Sequence, residues 1–89
     1  MPSYLVETYL ACSDAEKRRA CERRARWAAL KLTREGASVR FERVIHVPED
    51  EVCFFVFDAP RAPDAERAAE LAGLRTLRVV EAISSGEEQ

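Results

Sequence analysis

The chain has 89 residues, which suits one small domain near the lower size limit for an independent hydrophobic core. Its formal net charge of −2 provides no global basic field, so we expect neither a nucleic-acid nor a membrane partner. The three cysteines are widely spaced and form no C-x-x-C pair, which argues against a disulfide framework and a zinc site. A secretory signal and a membrane-length apolar run are both missing, so we predict a cytoplasmic protein.

The chain begins with a predicted strand over residues 3–11, in which both alternating rows are mainly apolar or aromatic apart from Glu7. Ser13 and Glu16 then match a capping box and predict a helix that continues to about Glu35, followed by Gly36. The apolar stripe expected on its inner face is Cys21, Ala25, Ala28, Ala29 and Leu32.

Two further strands are predicted at 39–47 and 52–57, joined by the polar hairpin 48–51. Pairing Val47 with Val52 sets the register and predicts that His46 lies opposite Cys53. The side of the hairpin expected beneath the helices is Val39, Phe41, Ile45, Val47, Val52, Phe54 and Val56. The side expected to remain open is Glu42, Val44, His46, Cys53, Phe55 and Phe57.

A short helix over 64–72, with Pro63 in its first turn and Gly73 at its end, precedes a last strand over 74–83. The order β-α-β-β-α-β predicts an α+β ferredoxin-like plait with strand order 4-1-3-2 and both helices on one face. We expect residues 1–83 to form this single domain and residues 84–89 to be a flexible polar tail.

The run at 52–57 is apolar on both of its sides, whereas the helices can cover only one face of the sheet. Such an open face exceeds the apolar patch that a monomer usually exposes, which predicts a homodimer with two facing sheets, similar to a dimeric α/β barrel. An RNA-binding role is disfavoured because the acidic residues 48–51 precede the aromatic strand where a basic motif is needed.

A shared interior of this kind predicts a small ligand pocket on the sheet face. The residues expected to line it are Glu7, Tyr9, His46, Cys53 and Phe55, with Glu81 as a further polar candidate. Glu7 is the sharpest signal, because a carboxylate in a central strand needs an arginine, a backbone amide or a ligand. Its structural partners would be Arg40, Arg43 or Arg78. For Cys53 a small buried core residue is the simpler interpretation, and for His46 a half-exposed structural histidine competes with an acid/base or metal role.

Five short segments together resemble a bacterial family of small domains of unknown function whose described relatives bind nickel. The similarity runs over residues 4–83, and its segments are Tyr4-Leu5-Val6-Glu7, Val47-Pro48-Glu49-Asp50-Glu51-Val52-Cys53-Phe54, Phe57-Asp58-Ala59-Pro60, Ala72-Gly73-Leu74 and Val79-Val80-Glu81-Ala82. The resemblance implies a ferredoxin-like dimer and a bound divalent transition metal such as nickel. The relatives carry histidines late in the first strand, where this chain has Thr8 and Tyr9, so His46 is the metal ligand that the resemblance leaves.

The leading hypothesis is a cytoplasmic homodimer that binds a small ligand or a transition metal at the sheet face, without demonstrated catalysis. The alternative is a cofactor-free dimeric α/β-barrel enzyme, a monooxygenase or isomerase, in which Glu7 or His46 moves a proton. A third hypothesis is a protein whose only function is its interface.

Overall fold

The computed structural model describes residues 1–9 and 15–83. Within them the elements follow the predicted order: β1 (Ser3–Tyr9), α1 (Ala15–Arg34), β2 (Arg40–Val47), β3 (Val52–Asp58), α2 (Ala62–Leu71) and β4 (Thr76–Ala82). A single 3₁₀ turn over Pro48–Asp50 joins β2 to β3. The end of the predicted first strand, Ser13 of the capping box and the predicted tail at 84–89 lie outside the described residues.

The four strands form one antiparallel sheet in the order β2-β3-β1-β4, which is the predicted order read from its other edge. This α+β arrangement with two helices is compatible with a ferredoxin-like plait. The two strands that are apolar on both sides, β1 and β3, occupy the middle of the sheet, as the sequence predicts.

Helix α1 ends at Arg34, next to the predicted end at about Glu35. Gly36 has φ +107°, a left-handed conformation that residues with a Cβ rarely adopt, and the amide of Ala37 donates to the carbonyl oxygen of Leu32 at 2.9 Å. The Thr33 hydroxyl then donates to the Val39 carbonyl oxygen at 2.7 Å and accepts from the Val39 amide at 3.2 Å. These bonds fix the point at which β2 enters the sheet.

The hairpin register is confirmed, because Val47 pairs with Val52, Ile45 with Phe54 and His46 with Cys53. The assignment of its two faces is wrong. A β-bulge between Phe41 and Arg43 leaves Glu42 as the extra residue, and one extra residue moves every later side chain of β2 to the opposite face. Phe41 therefore stays beneath the helices, but the inward residues after the bulge are Val44 and His46.

The core lies between the sheet and the two helices. Phe55 and Phe57, which we expected on the open face, are both 0% exposed within it, and Phe41 packs against both rings at centroid distances of 6.1 and 5.4 Å. All five residues of the apolar stripe predicted on α1 are buried. Small alanines on both helices let them approach the aromatic residues closely.

Candidate functional site

The side of the sheet that faces away from the helices is called here the open face. Its residues follow from the strand register, since directly paired residues of antiparallel strands share a face. Across β2, β3, β1 and β4, the successive rows are Arg40–Asp58–Ser3–Ala82, Arg43–Val56–Leu5–Val80, Ile45–Phe54–Glu7–Arg78 and Val47–Val52–Tyr9. One end of the open face is thus polar, and the rest is mainly apolar.

The apolar part of the open face includes both exposed and covered side chains. Tyr9 and Ile45 are 47% and 37% exposed, and Phe54 is half-buried. Val52 and Val56 are buried by their neighbours on this face, yet neither belongs to the core cluster beneath the helices. The sheet therefore has a second apolar layer that neither helix covers, made of different residues from those predicted.

One ion pair lies within this apolar layer. The Nε of Arg78 donates to Oε1 of Glu7 at 2.7 Å, and the two side chains are 68% and 18% exposed. Arg78 is one of the three structural partners that the sequence suggested for Glu7, and it satisfies one oxygen of the carboxylate. The pair places a charged and directional group beside Tyr9 and Phe54.

The polar end of the open face is a network around Asp58, whose side chain is only 7% exposed. Ser3 Oγ donates to Asp58 Oδ1 at 2.7 Å and Arg40 Nη2 donates to Oδ2 at 3.0 Å. Glu42, the extra residue of the bulge, completes the network: its Oε2 lies 3.5 Å from Arg40 Nη2, and its carboxyl group can hydrogen-bond to Asp58 once it takes up a proton.

The two carboxyl groups titrate differently because of this contact. The hydrogen bond with Asp58 and the negative charge of that residue raise the pKa of Glu42. Burial would raise the pKa of Asp58, but hydrogen bonds with its three neighbours outweigh burial, and its pKa lies below the usual value. Asp58 therefore holds the negative charge and Glu42 is the group that takes up the proton.

The five predicted pocket residues do not share a face. Glu7 and Tyr9 lie on the open face, whereas His46, Cys53 and Phe55 lie on the helix side of the sheet. The physical reason is the bulge at Glu42, which reverses the assumed orientation of β2 and, through the confirmed register, that of β3. Glu81, the further candidate, pairs with Tyr4 and also lies on the helix side.

His46 is engaged by helix α1. Arg18 Nη1 lies 3.3 Å from His46 Nδ1, and since a guanidinium group only donates hydrogen bonds, Nδ1 is the acceptor. The Nδ1 lone pair is therefore taken, and the adjacent positive charge opposes a divalent cation. Within residues 1–9 and 15–83, no three His, Cys, Asp or Glu side chains come together to hold a metal ion. The described residues do not fit the nickel site that the resemblance implies.

Cys53 matches its simpler interpretation. It is 2% exposed, and its backbone carbonyl oxygen accepts a 3.1 Å hydrogen bond from the buried Thr8 hydroxyl on the neighbouring strand. This contact ties the two central strands together in the core.

Sequence reasoning missed Phe54, Val56 and Asp58 as residues of the open face. The signal that could have found them is Arg43, which interrupts the apolar row formed by Val39, Phe41, Ile45 and Val47. A bulge before Arg43 would have removed that conflict and turned Phe54 outward.

The chain matches no protein-family model and no curated protein. Among solved structures it is similar to SCO4226 from Streptomyces coelicolor A3(2), with a TM-score of 0.68 and 18% sequence identity over 93% of this chain and 98% of the other. At this identity the likeness shows the fold alone. The resemblance to a nickel-binding family stays a prediction. In the part of the chain that the structure describes, no helix is long and apolar enough to cross a membrane.

Proposed function

We propose that the protein is a homodimer in which two open faces pack against each other and enclose a small-ligand site beside Glu7 and Tyr9. The observation that carries this proposal is the second apolar layer. Its members are Leu5, Tyr9, Ile45, Val47, Val52, Phe54, Val56 and Val80. Both helices lie on the other side of the sheet and cannot cover it.

A second copy suits this face better than a nucleic acid does. A two-fold axis brings the same patch onto itself, so apolar rows meet apolar rows and the polar rim stays near solvent. Arg40, Arg43 and Arg78 lie on the edge strands, at the rim of such an interface. The acidic turn at Pro48–Asp50 borders the same sheet and would repel a phosphate backbone.

The ligand site rests on the ion pair between Glu7 and Arg78. Two sheets packed face to face lie about 10 Å apart, and their side chains fill most of the space between them. Ligand sites in proteins are mainly apolar with a few convergent polar groups, and here those groups are Glu7, Arg78 and the Tyr9 hydroxyl. We therefore propose a small organic ligand with both apolar and hydrogen-bonding parts.

We propose binding rather than catalysis or metal coordination at this site. Of the two alternative proton carriers in the enzyme hypothesis, His46 lies on the helix side of the sheet, away from this site, and Glu7 is held in an ion pair by Arg78. The carboxylates on the open face, Glu7 and Asp58, are each already paired with an arginine. A divalent transition metal would have to displace these partners.

Native mass spectrometry of freshly purified protein tests the proposal. We expect a dimer of twice the 10.1 kDa chain mass that carries an additional small organic mass. Glu7→Gln should lose the added mass, whereas the control Glu81→Gln, on the opposite side of the sheet, should keep it. A monomer without added mass would contradict both parts of the proposal, and a dimer that carries only metal would contradict the organic ligand.

A further inference from the structure

The positive charge of this acidic chain is concentrated in helix α1. Between Ala15 and Arg34 the helix holds eight of the fourteen Lys and Arg residues of the chain, but only two of its sixteen Asp and Glu residues. The small net charge therefore conceals a strongly basic surface beside an acidic remainder. A field of this kind orients the molecule toward an anionic surface even though the whole chain carries negative charge.

The outward side of α1 carries a continuous stripe of basic and apolar residues. Spacings of four, four, three and four residues place its members on one side of the helix. This outer stripe is Arg19, Arg23, Trp27, Leu30 and Arg34. All five side chains are exposed, with Trp27 at 52% and Leu30 at 55%.

The arginines of the outer stripe differ from the other arginines of α1. Arg24 donates to the carbonyl oxygen of Ala72 at 2.7 Å, and Arg26 lies 5.2 Å from the centre of the Phe41 ring. Of the ion pairs among the described residues, none includes Arg19, Arg23 or Arg34.

The spacing of the outer stripe also lowers the stability of the helix. Arg19 and Arg23 are like charges at positions i and i+4, which destabilises an isolated helix by a few tenths of a kcal/mol. Within residues 1–9 and 15–83, three arginines without an ion-pair partner thus surround an exposed tryptophan and leucine.

We propose that the outer stripe of α1 docks the protein onto an anionic lipid surface. The guanidinium groups of Arg19, Arg23 and Arg34 bind headgroup phosphates, while Trp27 and Leu30 enter the interfacial layer between them. This inference does not depend on the dimer, because packing through the open face leaves α1 on the outside of each subunit.

The shape of the stripe favours a lipid surface over an acidic protein. A straight helix of 20 residues is about 30 Å long, so all five side chains of one stripe can meet a plane at once. Trp27 and Leu30 protrude between the charges, and tryptophan prefers the membrane–water interface. The central residues of protein hot spots are instead enclosed by well-packed pockets.

The experiment uses Trp27, the only tryptophan of the chain, as its own probe. Purified protein is mixed with phosphatidylcholine vesicles or with vesicles that also contain phosphatidylglycerol, and tryptophan emission and co-sedimentation are measured together. We expect a blue shift and sedimentation only with the anionic vesicles. Both should weaken sharply at about 1 M salt, where the Debye length falls to about 3 Å.

Two matched pairs of variants locate the binding surface. Arg23→Gln should lower the vesicle partition coefficient about fivefold, which corresponds to about 1 kcal/mol for each basic residue near an anionic surface. The control Arg67→Gln, exposed on α2, should not change it. Leu30→Ser should weaken binding, whereas Leu77→Ser, on the exposed part of β4, should not. Circular dichroism confirms that each variant is folded.

Three results would overturn the proposal. They are a lack of binding to anionic vesicles, equal binding by Arg23→Gln and the wild type, and sedimentation without a change in Trp27 emission. Poly-L-glutamate serves as the competing probe. If it shifts the Trp27 emission and anionic vesicles do not, the stripe recognises an acidic polypeptide and the lipid surface is excluded.

Discussion

At the scale of single residues, the contact between Glu42 and Asp58 links the fold to pH. Because the pKa of Glu42 is raised, the folded chain keeps a proton that the unfolded chain has released, over the pH range between the ordinary and the raised pKa. The stabilising contribution of Glu42 is complete below its ordinary pKa of 4.5 and is lost as pH rises through the raised pKa. Asp58, whose pKa is lowered, contributes above its ordinary value of 3.8, and that contribution is lost as pH falls through the lowered pKa.

Glu42→Gln tests this assignment. The amide donates a hydrogen bond to Asp58 without a second negative charge, so we expect the free energy of unfolding at pH 7 to rise by about 0.5 kcal/mol. The gain should disappear below about pH 4, where the wild-type carboxyl is itself protonated. Urea denaturation at pH 7 and below about pH 4 measures this gain in stability, with Glu49→Gln in the exposed hairpin as the control. A gain that is equal at both values of pH would show that Glu42 shares no proton.

His46 allows a second prediction at this scale. Because its Nδ1 accepts a hydrogen bond from Arg18, we expect His46→Ala and the wild type to give the same result in a calorimetric titration with nickel. Glu81→Ala, at an exposed site on the same side of the sheet, is the control for an unrelated loss of a side chain. A clear loss of nickel affinity in His46→Ala alone would show that His46 is a metal ligand. It would contradict the proposal that the protein binds an organic ligand and no metal.

At the scale of secondary structure elements, β2 and β3 show what the sequence determines and what it leaves open. The strand order and the pairing of Val47 with Val52 follow from apolar patterns and a short turn, and both are confirmed. The faces of β3 could not be deduced from its own residues, because Val52 to Phe57 is apolar on both sides and alternation carries no information there. Only β2 could have indicated the orientation, and the bulge at Glu42 reversed its second half.

The two faces of β3 should respond differently to truncation. Phe55 is 0% exposed in the core, so we expect Phe55→Ala to lower the free energy of unfolding by about 3–5 kcal/mol. Phe54 is only half-buried on the open face, and Phe54→Ala should cost about 1–2 kcal/mol in the monomer. Urea denaturation at low protein concentration gives both values. Equal losses, or the larger loss at Phe54, would contradict the observed orientation of β3.

At the scale of the whole molecule, the sequence predicted the need for a covering of the sheet but misplaced the residues that need it. The need for a covering follows from the number of apolar rows in the central strands, which a bulge does not change. The predicted pocket depended on which row faces outward, which a bulge reverses. Glu7 and Tyr9, the two predicted pocket residues that do lie on the open face, belong to β1, which pairs with β3 without a bulge.

A charge placed on the open face should separate the subunits without unfolding them. We expect Phe54→Asp to remain folded by circular dichroism, because Phe54 lies outside the core cluster. Leu77→Asp is its control, since Leu77 is 58% exposed at the irregular start of β4 and borders Glu66 and Glu70 of α2.

Sedimentation equilibrium of the wild type, Phe54→Asp and Leu77→Asp at micromolar concentration tests most directly whether the protein dimerises through its open face. If the open face joins two copies, the wild type and Leu77→Asp should sediment at twice the 10.1 kDa chain mass and Phe54→Asp at the mass of one chain. A wild type that sediments as a single chain, or a Phe54→Asp variant that remains a dimer, would contradict it.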